Sequence, residues 1–397
     1  MSSAIQFVFF VRMLATGIVA PVLALMLMAH GAAIETISLL IGAYSVTVIA
    51  AELPSGVLAD LIGQKRVFLL STLFGFISFG LILVSRSAAA LLLAMVFYGL
   101  SRAFSSGTLD ALAVNQSRAR DHDTVLKIAS RFSILESAGL ALGSLAGGLM
   151  AGVGNAYNLN IAANIALYGL VFLAALFTLR ENGPRPADGE RTPLRAVIGS
   201  QVKQGASFIT RKGTVRTLLI LSAATGFAMI SVETYWQPAY AAFSAPPWTL
   251  GLVTFGSFMG MMLGSKLITR ILRKHTGRIA TAFLLLRALL GAGLIGLYFA
   301  RRETSFIAVY IALYFLLGGG GVAESTLIHQ AATDEQRSSI LSLFSFVLQI
   351  GSVLASVAGF AVSAGLRYQL MWPIAGLLLL LCAGLRLHAH HKNRRSA

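Results

Sequence analysis

The 397-residue chain has little charge, and most of that charge is of one sign. Only 12% of its residues are charged, where soluble domains have about a quarter, and 15 acidic residues stand against 31 Lys and Arg. The single cysteine, Cys382, excludes an internal disulfide. There is no P-loop, no metal-ligand spacing and no nucleophile arrangement. We therefore expect no cofactor, no bound metal and no enzymatic activity.

Long apolar runs make up most of the chain. Hydrophobic residues make up 56% of the chain and the mean hydropathy is +0.78, which predicts an integral membrane protein. A bilayer core of ~30 Å requires about 20 apolar residues per helix, so we expect twelve spans, the first retained and not a signal peptide. The predicted spans cover 4–28, 34–58, 67–85, 88–115, 125–152, 157–179, 215–242, 249–271, 278–300, 304–330, 338–365 and 367–388.

The cations are concentrated in alternate loops. One set of loops and tails holds 22 Lys and Arg and the opposite set holds four, which predicts that both termini face the cytoplasm of a cell (inner) membrane. The net charge of +16 therefore does not indicate nucleic acid as a partner. The expected partners are the lipid bilayer, protons and a small-molecule substrate, and the expected oligomeric state is a monomer.

The chain divides into two similar halves. We predict a six-helix bundle over 1–180, a cytoplasmic linker over 181–214 and a second six-helix bundle with a short tail over 215–397. Within the linker, Leu194–Phe208 is either a short helix on the inner membrane surface or a flexible connection. At an offset of 212 residues Ser130 matches Ser342 and Gly139 matches Gly351, as expected of two parallel repeats.

Thirteen residues from Pro54 to Arg66 join the second apolar run to the third, and we interpret them as a tight, charged cytoplasmic hairpin. Gly56 and Gly63 permit close approach or positive φ, Asp60 places a carboxylate near the helix ends, and Lys65 and Arg66 follow. Without the rest of the chain, the spacing indicates only a short basic loop between spans. In context it resembles the signature loop of the major facilitator superfamily, with Leu61 and Gln64 where that family usually has cations.

This resemblance implies an all-α membrane protein with twelve transmembrane helices in two pseudo-symmetric six-helix bundles around a central cavity. It also implies a secondary active transporter that works by alternating access, similar to the proton-coupled drug exporters, and that exports a small lipophilic compound by antiport. One alternative is a proton symporter that imports an organic anion or a nutrient. The other is a non-transporting membrane receptor or assembly protein.

Ten ionisable side chains fall inside the predicted spans, where each costs ~2.5–3.5 kcal/mol near the helix centre unless it faces a cavity or a partner. The acids are Glu52, Asp110, Glu136, Glu233 and Glu324; the bases are Arg12, Arg102, Arg131, Lys266 and Arg287. Arg102 and Glu136 fall near mid-membrane and are the first candidates for a central, proton-coupling site. The alternative is a permanent ion pair between these two that only fixes helix packing.

The other central candidates each have two interpretations. Glu233 lines an exterior vestibule, or lies at the membrane interface with Tyr235 and Trp236 as an aromatic belt. Glu324, which follows the glycine run 318–321, belongs to a gate or to a packing seam. Arg12 and Arg287 bind an anion, or pair with neighbouring acids.

Two further groups have a predicted role in gating or packing. By resemblance, an inner gate contains Gly56, Asp60, Gly63, Lys65, Arg66, Asp110, Arg131 and Glu52. The alternative for Asp110, Arg131 and Glu52 is contact with the substrate. The glycines Gly139, Gly143, Gly147 and Gly148 form a smooth stripe for helix packing. This stripe is similar to the glycine motif of exchangers, with Ser144 where that motif has proline. Aromatic and amide candidates for a cavity lining are Phe9, Phe10, Tyr44, Phe227, Tyr235, Trp236, Tyr314, Asn158, Asn160 and Asn164.

Overall fold

The structure is a computed structural model that describes residues 2–117, 122–181, 213–274, 278–331 and 337–395. Within these ranges the regular secondary structure is helical and contains no strand. Nearly all of the predicted linker, including Leu194–Phe208, lies outside the described residues.

Fourteen α-helices occupy the described ranges. The first eight are α1 Ser3–Val19, α2 Leu23–Ala29, α3 Ile34–Ile62, α4 Gln64–Val84, α5 Ala88–Ser105, α6 Thr108–Gln116, α7 His122–Ala151 and α8 Asn158–Thr178. The other six are α9 Gly213–Ala241, α10 Thr249–Lys274, α11 Ile279–Phe299, α12 Glu303–Ala331, α13 Arg337–Gly365 and α14 Met371–Arg395.

The predicted number of spans agrees with these helices. In the described residues, 11 helices or continuous helical runs are long and apolar enough to cross a membrane, and the bent pair α1–α2 brings the number to 12. The two members of this pair differ in direction by 60°, and Pro21, which has no backbone N–H to donate, lies in the break. The sequence predicted one uninterrupted first span, so the bend is a correction.

The helices form two compact units. The first unit comprises the described part of residues 1–194 together with Pro246–Phe255, and the second comprises the described parts of 195–245 and 256–397. In the first unit α1 packs against α7 and α8, and α4 packs against α5 and α8. In the second unit α9 packs against α13 and α14, and α11 packs against α12 and α14. Counted in spans, these pairs correspond one to one, which confirms the predicted pseudo-symmetry.

The segment Pro54–Arg66 is helical except at one residue. Helix α3 contains Pro54 and continues to Ile62, Gly63 reverses the chain with φ 103° and ψ 150°, and α4 begins at Gln64. Residues 54–58, which the predicted second span also covers, are helical, whereas interpreting 59–62 and 64–66 as a loop was wrong. Hydropathy marks where an apolar run ends, whereas a helix continues through polar residues as long as its backbone hydrogen bonds are made.

Gly56 has a different role from the one predicted. It lies inside α3, and a Cβ added there would meet no atom within 4 Å. The position therefore requires neither close approach of another helix nor positive φ. Gly63 alone supplies the backbone conformation that makes the turn tight.

Candidate functional site

A buried ion pair joins three helices of the second unit. Arg287 of α11 places Nη2 2.5 Å from Oε2 of Glu324 of α12, and Ser222 of α9 donates a 2.5 Å hydrogen bond to Oε1 of the same carboxylate. The side chains of Arg287 and Glu324 are 2% and 13% exposed. Among the described residues this is the single ion pair within 4.0 Å. Of the two interpretations of Arg287, pairing with a neighbouring acid therefore holds.

The glycine run 318–321 makes room for this pair. A Cβ on Gly320 would lie 3.1 Å from Nη1 of Arg287, and one on Gly319 would lie 2.6 Å from the side chain of Ile268. Glycine therefore lets α12 approach both the guanidinium and α10. The glycine run and Glu324 lie on the same helix, close together in sequence. The close packing of the glycines therefore also positions the carboxylate of Glu324.

An open groove lies between α10 and α12. Its volume is about 390 Å³. The lining residues are Met261, Ser265, Leu317, Gly318, Gly321, Val322, Ser325 and Thr326. This lining is apolar with three hydroxyl groups and contains no ionisable side chain. Glu324 is not among the lining residues, although it lies between Val322 and Ser325 in the sequence.

Arg12 of α1 is the buried cation of the first unit. It is 4% exposed, and its guanidinium donates to the hydroxyl of Tyr168 on α8 and, over 3.0 Å, to Oγ of Ser101 on α5. The guanidinium carbon also lies 4.6 Å from the centroid of the Tyr168 ring. No carboxylate of the described residues pairs with it. The two buried arginines thus differ, since Arg287 has an acid partner and Arg12 has neutral ones.

Arg102 and Glu136 are both exposed, and no ion pair joins them. The hypothesis of a permanent Arg102–Glu136 pair is therefore wrong for this conformation. Sequence depth placed both residues near mid-membrane, but depth along a helix does not specify which face carries a residue. Their predicted part in a central site stays a prediction.

The predicted gate residues are mostly on the surface. Asp60, Arg66, Asp110 and Arg131 are exposed, and none forms an ion pair within the described residues. The exposed carboxylate of Glu52 accepts a 3.4 Å hydrogen bond from Ser106. The residues of the expected cluster are therefore not joined by ion pairs in this structure. The gating role of the cluster stays a prediction.

Glu181 is a partner of the turn that the sequence did not reveal. Its Oε1 accepts a 3.2 Å hydrogen bond from the backbone N–H of Lys65 in the first turn of α4, and Nζ of Lys65 donates to the carbonyl of Leu176 over 2.7 Å. A carboxylate at a helix N-terminus satisfies a free N–H and complements the helix dipole. One feature could have predicted a partner from elsewhere in the chain. Gly63 is the N-cap residue of α4 and has no side chain that could accept a backbone N–H of the first turn.

The glycine stripe lies in a seam between helices. A Cβ on Gly139 would lie 2.6 Å from Cβ of Met13, and one on Gly143 would lie 2.8 Å from Cα of Gly17, both on α1. Gly148 similarly approaches Cα of Gly251 at the start of α10, in the stretch that belongs to the first unit. Asn160 crosses the seam and donates a 2.8 Å hydrogen bond to the carbonyl of Gly147.

The aromatics near Glu233 are core residues. Tyr235 and Trp236 are 1% and 0% exposed, and the Trp236 ring packs against Tyr310 with centroids 4.7 Å apart. The predicted interfacial belt formed by these two residues is therefore wrong, because a belt residue keeps its polar edge in contact with water. Glu233 itself is half-buried on α9.

Comparison with known proteins identifies the family. A family model described as Major Facilitator Superfamily matches residues 5–356. The chain belongs to the major facilitator superfamily. It is thus a multi-pass membrane protein and a secondary transporter, as the signature-loop resemblance implied.

Similar members of the superfamily are known from sequence and from structure. The MFS-type transporter YxaM of Bacillus subtilis (strain 168) is 24% identical over 379 residues, covering 93% of this chain and 91% of YxaM. The nucleoside transporter NupG has the same fold, with a TM-score of 0.80, 12% identity and coverage of 97% and 98%. The peptide transporter POT follows with a TM-score of 0.77, 11% identity and coverage of 98% and 94%.

Proposed function

We propose that this superfamily member exports a small lipophilic compound in exchange for protons and that Glu324 is the proton-carrying group. The observation that supports this most directly is the Ser222–Glu324–Arg287 arrangement, which holds an ionisable carboxylate inside the second unit. The groove between α10 and α12 is a separate feature and supplies space with no ionisable side chain in its lining. The assignment replaces Glu136, the first candidate from the sequence, because Glu136 is exposed and forms no ion pair with another residue that the structure describes.

Proton exchange at Glu324 follows from its two possible environments. An adjacent cation generally favours the ionised form of a carboxylate, whereas an apolar environment without a cation favours the protonated form. In the proposed cycle, a conformational change separates Glu324 from Arg287 and then restores the pair. A conformational change that alternates these environments therefore alternately loads and releases one proton.

The proposed cargo and direction have separate support. The groove lining of Met261, Leu317, Val322 and hydroxyl-bearing residues suits a neutral or lipophilic compound. The outward direction rests on the similarity of the glycine stripe to the motif of exchangers. From the distribution of Lys and Arg we also propose that both termini lie in the cytoplasm. The proposed oligomeric state is a monomer in the cell membrane.

A second candidate is proton-coupled uptake of an organic anion. It is favoured by the buried guanidinium of Arg12, which has no carboxylate partner among the described residues, and by the exposed guanidinium of Arg102. The related folds of NupG and POT belong to proteins described as nucleoside and peptide transporters. The fold therefore serves cargoes other than lipophilic drugs.

Purified protein reconstituted in proteoliposomes separates these candidates. A compound selected by a thermal-shift screen is loaded into the lumen with a pH-sensitive dye, and its efflux is started by dilution. Antiport moves protons inward and acidifies the lumen, whereas symport moves protons outward and makes the lumen alkaline. Efflux without any change of luminal pH would rule out proton coupling.

Glu324→Gln tests the proton-carrying assignment. We expect this variant to lose pH-driven transport but to retain exchange of labelled for unlabelled substrate, because exchange requires no net proton transfer. Glu35→Gln, which changes a carboxylate in the first turn of α3, is the matched control and keeps both activities. If Glu136→Gln loses pH-driven transport and Glu324→Gln keeps it, the proton is carried by Glu136.

A further inference from the structure

Helix α10 carries several cations on one side of its C-terminal half. They are Lys266, Arg270, Arg273 and Lys274, and all four are exposed. At 3.6 residues per turn these positions fall within an arc of about 100°. On the opposite side of the helix Gly264 is buried and Leu272 belongs to the hydrophobic core of the second unit. The four residues therefore form a cationic face on the surface of that unit.

This cationic face has no counter-ion among the described residues, where the single ion pair is that of Arg287 and Glu324. The helix dipole accounts for cations in the last turn only, because its effect decays within one turn. Lys266 lies eight residues before the end of α10 at Lys274, about 12 Å along the axis, and inside the candidate membrane span. Lys266 and Arg270 are also like-charged neighbours at i and i+4, which repel each other. An anion bound between them would relieve both this repulsion and the cost of a cation in the membrane.

Large apolar side chains lie along both edges of the cationic face. Leu263, Leu267 and Ile271 repeat at i, i+4 and i+8 along one edge, and Met262 lies at the other. All four are exposed, by 43% to 60%. In a helix that spans a membrane, such a surface contacts acyl chains, because a surface in contact with water carries polar side chains. The molecule that complements this part of α10 therefore has an anionic head and apolar chains.

We propose that the cationic face of α10 binds an anionic phospholipid. The phosphate accepts hydrogen bonds from Lys266 and Arg270, and the acyl chains pack along Leu263 and Leu267. Lysine extends its apolar stem along the helix and keeps its ammonium group in the polar headgroup region, and the planar fork of arginine suits phosphate oxygens. Charge complementarity favours an anionic lipid over a zwitterionic one. This binding is independent of the proposed transport function.

The test is binding of phosphatidylglycerol to the purified full-length protein, titrated in detergent and measured by native mass spectrometry. We expect a higher affinity for phosphatidylglycerol than for phosphatidylcholine with the same acyl chains. Lys266→Gln combined with Arg270→Gln should weaken phosphatidylglycerol binding at least ~10-fold, since each cation near a headgroup contributes about a fivefold gain. Lys266→Arg combined with Arg270→Lys keeps both charges and should bind within about twofold of the unmodified protein. Arg301→Gln combined with Arg302→Gln removes two exposed cations elsewhere in the second unit and is the matched control, which should leave binding unchanged.

Each result decides the proposal. Equal affinities for the two lipids overturn it, as does an unchanged affinity in the variant that lacks the charges of Lys266 and Arg270. An equal loss in the Arg301 and Arg302 control also overturns it, because the attraction would then come from the net charge of the protein. Excess inorganic phosphate should not displace the lipid, and displacement would show a site for a free anion instead. If the double Gln variant does not purify as a folded protein, Lys266→Gln alone decides, with an expected loss of about fivefold.

Discussion

The guanidinium of Arg287 and the carboxylate of Glu324 are 37 residues apart in sequence and 2.5 Å apart in the structure. Removal of two ions from water costs free energy. The attraction between them offsets this cost only when the ions are in close contact and their remaining donors and acceptors form hydrogen bonds. Here Ser222 supplies one further hydrogen bond to Glu324, while Nε of Arg287 has no hydrogen-bond partner in the part of the chain that the structure describes. The pair is therefore sensitive to the loss of either member.

Loss of one partner should destabilise the protein more than loss of both. Arg287→Gln and Glu324→Gln each leave a buried charge without its counter-ion, and we expect each to lower the unfolding free energy by ~3–5 kcal/mol. The double variant carries no charge at this place and should lose less than either single variant. Thermal unfolding of the four proteins in the same detergent measures this coupling. Additive losses would show that the two side chains do not interact.

Gly63→Ala should be harmful and Gly56→Ala should not. At Gly63 a side chain meets positive φ, and its Cβ would lie 2.5 Å from Cδ of Glu181. We expect a loss of ~1–3 kcal/mol from backbone strain alone. At Gly56 there is open space within a helix, so alanine should be neutral or slightly stabilising. Melting temperatures of the two variants check this, and equal effects would mean that the turn does not depend on Gly63.

Glu181→Ala should loosen the start of α4. The carboxylate accepts the backbone N–H of Lys65, and loss of such a cap costs about 0.5–2 kcal/mol. Glu181→Gln keeps an acceptor and loses the charge, so its effect should be intermediate. Hydrogen exchange at the amide of Lys65, followed by mass spectrometry, reports the change locally. If the amide of Lys65 is equally protected in Glu181→Ala, Glu181 does not stabilise the start of α4.

Gly143→Ala should separate α1 from α7. The added Cβ would lie 2.8 Å from Cα of Gly17, where both neighbours are backbone and the helices must move apart. We expect ~1–3 kcal/mol of destabilisation from overpacking. Gly169→Ala in α8, where a Cβ meets nothing within 4 Å, is the matched control and should be neutral. Equal melting temperatures for the two variants would show that this seam is not tightly packed.

Asp60→Asn tests the predicted inner gate. Asp60 is exposed and forms no ion pair within the described residues, so the substitution should leave thermal stability within ~0.5 kcal/mol. If Asp60 holds a gate in another conformation, turnover in proteoliposomes should fall by about 5-fold or more. Normal turnover with normal stability would remove Asp60 from the gate.

The sequence alone determined the membrane class, the number of spans, the two-fold repeat of six spans and, through Gly56–Arg66, the superfamily. These properties are local: an apolar run of sufficient length must be helical in a bilayer, because each backbone polar group needs a partner there. The ends of helices were less predictable, as α3 shows by continuing to Ile62.

Only the tertiary structure decided which buried charges have partners. Arg12, Arg102 and Arg287 look alike in the sequence, each one cation inside an apolar run. Arg287 meets Glu324 because glycines in α12 let that helix approach it, whereas Arg12 meets Tyr168 and Ser101. Helix rotation and helix contacts depend on the packing of side chains from distant parts of the chain, which hydropathy does not contain.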